Sequence, residues 1–253
     1  MTPNNATQGP IDLLQFVSAE HQQFLISMVK SRPEFDAHSH LQGLFQAVLS
    51  QTEVPEDDMV LIQLLVFIHY HFVYSHACLF RCHLSEAFAS ARSAIDAALI
   101  GAFIIDDRSL QVQYLKREAP FNNLARHLGN MVREKKPMPH RLVPALREVH
   151  GNISRFASHA DIDSFMHRVE ITEKDEKPLV QIQYFQFSRN DAQRKLHFVQ
   201  LLLSFVLVLD VFSDFLVSQL KSVPKQWQDE LRGLGQALER GRDEIKKQLP
   251  ADT

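Results

Sequence analysis

The chain has 253 residues, a formal net charge of −3 and 45% apolar residues. That is enough material for a hydrophobic core without covalent staples, and the composition excludes a disordered tail protein, a collagen-like chain and a disulfide scaffold. Only 8 glycines occur, none between Leu44 and Ile100 or between Asn152 and Arg232, and proline is absent from Glu56 to Ala119 and from Leu179 to Val223. Such gaps favour long helices over a turn-rich sandwich or barrel.

Residues 1–10 carry neither a basic stretch nor an apolar core, so they read as a disordered leader and not as a signal peptide. Leu13, Leu14, Val17, Phe24, Leu25 and Met28 recur with a helical period up to Lys30, where Ser31-Arg32-Pro33 ends the pattern. A second helix is expected over Phe35–Leu49. Pro55 followed by Glu56, Asp57 and Asp58 suits a helix N-terminus. From there the chain is expected to stay helical to about Ile105, with a break near Leu84-Ser85, and to be central because it is apolar nearly all round. Ser109–Glu134 is predicted as a fourth helix kinked at Pro120, and Arg141–Ala160 as a fifth interrupted near Gly151. Val180–Phe187 alternates apolar and polar residues, which predicts a strand in a small hairpin or paired at an edge across a dimer. Arg189–Leu220 and Lys225–Gln248 are the last two helices. The expected fold is all-α, a bundle of about six to eight helices with a β-hairpin or edge strand near 180–187. It forms one helical domain over 11–253, with its core at about 55–220 and a C-terminal helix at 225–248.

Met59–Tyr74 and Phe198–Val217 raise the question of a membrane. The first is interrupted by Gln63, His69 and His71, the second by Gln200, Asp210 and Asp214. An aspartate near a helix centre costs about 2.5–3.5 kcal/mol on insertion. Buried core helices, a cytoplasmic location and no membrane contact are therefore expected. Cys78 and Cys82 share one helix and imply no disulfide framework.

His69, His76 and His83 are spaced by seven residues, which puts them on one helix face. Imidazole ligates zinc, iron and copper, but seven residues rise about 10.5 Å while ligands sit about 2 Å from a shared ion. A polar seam between packed helices is the expected reading, and a metal-binding bundle is the alternative. No cofactor is implied. His38 and His40 with Asp36 form a second, looser cluster expected at the surface. The sequence holds no nucleophile elbow and no phosphate-cradling glycine loop.

Charges inside apolar helices say more. Arg92 and Asp96 lie one turn apart, as do Asp210 and Asp214. Charges are seldom buried unpaired, so Arg92 and Asp96 are expected either to pair with each other or to line a polar site with the later helix. From Arg108 to His159 ten Lys and Arg face three Glu, a net +7 that points to an anionic partner such as RNA, DNA or a nucleotide, or to a solvated helical face. In the last helix Trp227, Leu231, Leu234, Leu238, Ile245 and Leu249 form a coiled-coil-like seam expected to dock on the chain's own core or on a second subunit.

The stretch Asn152-Ile-Ser-Arg-Phe-Ala-Ser-His159, preceded by His150, resembles a histidine-bearing segment of bacterial helical proteins related to the HEPN superfamily. The order of features is similar too: an Arg/acid pair on an apolar helix, the histidine segment, a short strand region and a long apolar helix, over about Met59–Leu220. The resemblance implies a helical homodimer with an RNA-binding or metal-independent RNA-cleaving site. HEPN ribonucleases place four to six residues between a catalytic arginine and histidine. Arg155 and His159 have three between them, while Arg32/His38 and Arg133/His140 match only in spacing. A binding or divergent member is therefore expected. Its site would comprise Arg92, Asp96, His150, Asn152, Arg155 and His159, and if it cleaves RNA, His159 or His150 would be the base and Arg155 the phosphate clamp.

Overall fold

A computed structural model of the chain describes residues 12–50, 58–156, 169–174, 177–182, 184–185, 188, 190–219, 223–224 and 226–249. The leader expected at 1–10 lies outside them. Helix α1, Leu13–Lys30, opens on a capping box in which the Asp12 carboxylate accepts the Gln15 N–H at 2.8 Å and the Gln15 side chain accepts the Asp12 N–H. Ser31 alone separates it from α2, Arg32–Leu49. Pro33 falls in the first turn of α2, where its missing N–H has no helical partner to lose, so α2 starts earlier than its apolar period indicates.

Helices α3, Met59–Phe80, and α4, Leu84–Asp106, form a tight hairpin. The turn between them has no glycine or proline. Cys82 takes the left-handed conformation at φ 66°, its N–H reaches the Leu79 carbonyl, and the His83 N–H reaches the Cys78 carbonyl at 2.9 Å. That is a Schellman closure with cysteine in the place where glycine is favoured. The fourth predicted helix is instead α5, Leu110–Leu115, a short 3-10 turn at Phe121–Asn123, and α6, Leu124–Arg133, capped by the Asn123 side chain on the Arg126 N–H. Helix α7, Val143–Phe156, runs through Gly151 without interruption. The long helices α8, Asp191–Gln219, and α9, Gln226–Lys246, follow. Nine α-helices are thus described, against the six to eight expected.

The extended segment also differs from the prediction at 180–187. β1, Val169–Lys174, pairs antiparallel with β2, Lys177–Ile182, with Val169 opposite Ile182. Of the described residues in the predicted strand, 180–182 belong to β2. Tyr184 and Phe185 are in a turn, and their rings pack against Phe16 of α1 at centroid distances of 6.2 and 5.3 Å.

The packed body is an all-helical bundle, with one continuous apolar core running from α2 to α9. Helix α4 lies at its centre against α3, α7 and α8. Its buried alanines, Ala87, Ala91, Ala94, Ala97, Ala98 and Ala102, let these neighbours approach closely. Helix α9 docks on its own chain, against α2 and α8, and the Trp227 indole N–H donates to the Leu44 carbonyl at 3.0 Å. Among the described residues, α3, α4 and Asp191–Ser218 are long and apolar enough to cross a membrane; of these α3 is the least buried within the molecule.

Candidate functional site

Helices α4 and α7 bring three of the predicted site residues together. Arg92 and Asp96, one turn apart on α4, both reach His150 of α7. The Arg92 Nε–H donates to His150 Nε2 at 3.1 Å, and Asp96 Oδ1 lies 3.2 Å from the same nitrogen. Among the described residues Arg92 and Asp96 form no ion pair with each other, so the intrahelical pairing is replaced by a bridge through the imidazole. His150 Nε2 has one role at a time. With its proton on Nδ1 it accepts from Arg92; with its proton on Nε2 it donates to Asp96. Loss of the Arg92 contact leaves His150 able to take the tautomer protonated at Nε2, which donates to Asp96. The Arg92 Nη atoms make no hydrogen bond among the described residues, and the side chain is exposed.

The other predicted members are placed differently. Asn152 is exposed on α7 and, two residues beyond His150, points to the opposite face. Arg155 belongs to α7 by its backbone, while its side chain and all of His159 lie outside what is described. Asp210 meets Arg141 at 3.6 Å and Ser213 at 3.0 Å, and Asp214 accepts from Gln228 at 3.1 Å. Those two acids tie α8 to its neighbours and take no part with Arg92 and Asp96.

The basic segment resolves into tied and available cations. Arg108 is held by Asp58 at 3.3 Å and lies over the Phe215 ring, Lys136 pairs with Glu134, and Arg141 pairs with Asp210. Lys116, Arg117, Arg126, Lys135 and Arg147 have no ion-pair partner among the described residues. Arg126 borders an open cavity with His127, Asn122, Asn123 and Asn130. The His127 ring rests on Phe103, 5.6 Å between centroids. Phe103 is eleven residues beyond Arg92, which places both on one face of α4 about 16 Å apart. This cavity was not legible in the sequence, because it depends on α6 folding back on the end of α4.

The predicted histidine seam is broken, since His69 and His76 lie on α3 while His83 follows the turn after it, and each histidine takes its own partner. His69 Nε2 meets Gln42 at 3.1 Å, His76 Nδ1 donates to the Phe72 carbonyl at 2.8 Å, and His83 Nε2 meets Glu20 at 2.9 Å. Among the described residues no group of three His, Cys, Asp or Glu is placed to hold a metal ion. His38 does not share the surface position expected for it; its ring stacks inward on Phe72 at 4.7 Å. Arg32 pairs instead with Asp36 at 2.9 Å, so the Arg32/His38 spacing makes no common site. Arg133 donates to Asn130 and His140 accepts from the Leu142 N–H, so that spacing makes none either. Comparison with known protein families, curated proteins and solved structures gives no match.

Proposed function

We propose that the chain is a cytoplasmic, HEPN-like helical module that self-associates and binds an anionic ligand, RNA by preference, along the α4 face carrying Arg92. The meeting of Arg92, Asp96 and His150 on that face carries the reading. An exposed guanidinium whose Nη atoms make no hydrogen bond among the described residues grips phosphate bidentately, and Arg126 of α6 and Arg147 of α7 add positive charge on the helices that follow. Asp96 supports this role by offering His150 a second partner when ligand engages Arg92.

The test is anisotropy of a labelled single-stranded RNA with the full chain. Binding at low salt should weaken as salt rises. Arg92→Ala should weaken it by roughly 10- to 100-fold, the loss of a charge-assisted contact of about 1.5–3 kcal/mol, and should lower the salt slope by about one phosphate. Binding unchanged in Arg92→Ala, or absent at low salt, overturns the proposal. RNA cleavage that His150→Ala abolishes would favour the divergent ribonuclease over the binding module.

A further inference from the structure

Helix α3 contains no Asp, Glu, Lys or Arg between Met59 and Phe80. One side of it packs against α1, α2, α4 and α8. On its outer side Met59, Val66, Phe67, Tyr70, Val73 and Tyr74 are 42–60% exposed. Met59, Gln63, Val66, Tyr70, Val73 and Ala77 succeed one another at intervals of 4, 3, 4, 3 and 4 residues, with Phe67 and Tyr74 flanking the line. That is the 3.5-residue period of a seam that packs on another helix. The chain covers one apolar side of α3 and leaves this second one without a partner among the described residues.

We propose that two copies of the chain associate through this outer face, their α3 helices packing about a two-fold axis near Phe67 and Tyr70. The inference rests on the self-association proposed above and names its surface. A two-fold contact uses the same patch twice, so a single stripe suffices for both partners. At roughly 150–220 Å² for a fully exposed residue of this size, the six exposures amount to on the order of 500 Å² per copy. Complete cover of these side chains in two copies buries up to about 1,000 Å², the size at which a specific interface becomes credible, and Ile62, Gln63 and Ala77 add to it. A lipid surface fits this face less well. An interfacial helix borders its apolar face with Lys and Arg, whereas this one has no cation along its length and follows Glu56, Asp57 and Asp58, which an anionic leaflet repels.

Sedimentation velocity and light scattering of the full chain at micromolar concentration provide the test. The wild type should have twice the 29.1 kDa of one chain, and Val66→Glu/Val73→Glu should fall to a single chain with unchanged helical circular dichroism. Tyr70→Cys, close to the axis, should cross-link to its copy on oxidation, while Glu239→Cys on the exposed side of α9 should not. A monomeric wild type overturns both the surface and the self-association. A dimer that persists in the double variant, or fails to cross-link through Tyr70→Cys, overturns the surface alone. Flotation of the wild type with neutral phosphatidylcholine vesicles, lost in the double variant, overturns it in favour of a membrane. RNA binding through Arg92 is read separately from all of these.

Discussion

His38 of α2 and His76 of α3 are packed ring against ring, 4.6 Å between centroids, with Phe72 against both. His38 Nδ1 and His76 Nε2 are buried and have no hydrogen-bond partner among the described residues. Burial pushes His38 down to about 4, helped by the neighbouring charge of His69. Burial also drives His76 well below the usual imidazole range, with His38 adding to it and the Phe72 carbonyl opposing it. Both are therefore neutral in the fold, while the unfolded chain takes up protons near pH 6.5. Their stabilising effect is complete above that pH and is lost as pH falls toward 4, about 3 kcal/mol for His38 alone. The urea midpoint should drop between pH 7 and pH 4.5, and His38→Leu should flatten the drop; an unchanged profile in that variant assigns the acid sensitivity elsewhere. At this scale the sequence was half readable. Heptad spacing put His69 and His76 on one face of α3, because helical geometry is local, but His83 falls beyond the turn that ends α3 at Phe80 and is not on that face. That His38 would join His76, or that His150 would bridge Arg92 and Asp96, depends on which helices become neighbours.

Among the elements, α4 shows how a local preference yields to packing. Gly101 lies in its interior, where alanine would gain about 1 kcal/mol of helix propensity. A Cβ there would sit 2.4 Å from Cζ of Phe212, a ring of α8 that is fully buried. Overpacking of this kind costs about 1–3 kcal/mol. Gly101→Ala should therefore lower stability by up to about 2 kcal/mol, whereas Gly43→Ala, with nothing within 4 Å of the added carbon, should raise it by up to about 1 kcal/mol. Equal effects of the two substitutions in urea unfolding would disprove close α4–α8 contact as the cause. Helices α3 and α8 were legible because glycine and proline are missing from them, and α4 because Gly101 is its one exception. The segment from Ser109 to Glu134 was less so: its polar and apolar residues fit one helix on paper, yet the chain turns around Pro120 so that Phe121 and His127 can cover Phe103. Gly151 misled in the opposite direction, since buried Leu146 and Ile153 on either side hold α7 together across it.

For the whole molecule the question is whether α9 is part of the same cooperative unit as the centre. The apolar seam of α9 was visible in the sequence, but a seam does not name its partner. Trp227, Leu231, Leu234 and Leu238 are buried against α2 and α8, and they belong to one apolar core with Leu41 and Phe212. The chain has a single tryptophan, and it is the residue that joins α9 to α2 through the Leu44 carbonyl. Its fluorescence therefore reports the docking of α9, while ellipticity reports all the helices. With one shared core the two signals should follow the same urea transition. Trp227→Phe should cost about 1 kcal/mol for the lost hydrogen bond, and Trp227→Ala about 3–5 kcal/mol for the cavity it leaves. Both variants should shift the whole ellipticity transition to lower urea without splitting it. A fluorescence change in the wild type that is complete before ellipticity begins to fall would show that α9 releases on its own. Leu44 would then be a reversible contact instead of a part of the core, and the helix seam would be available to another chain.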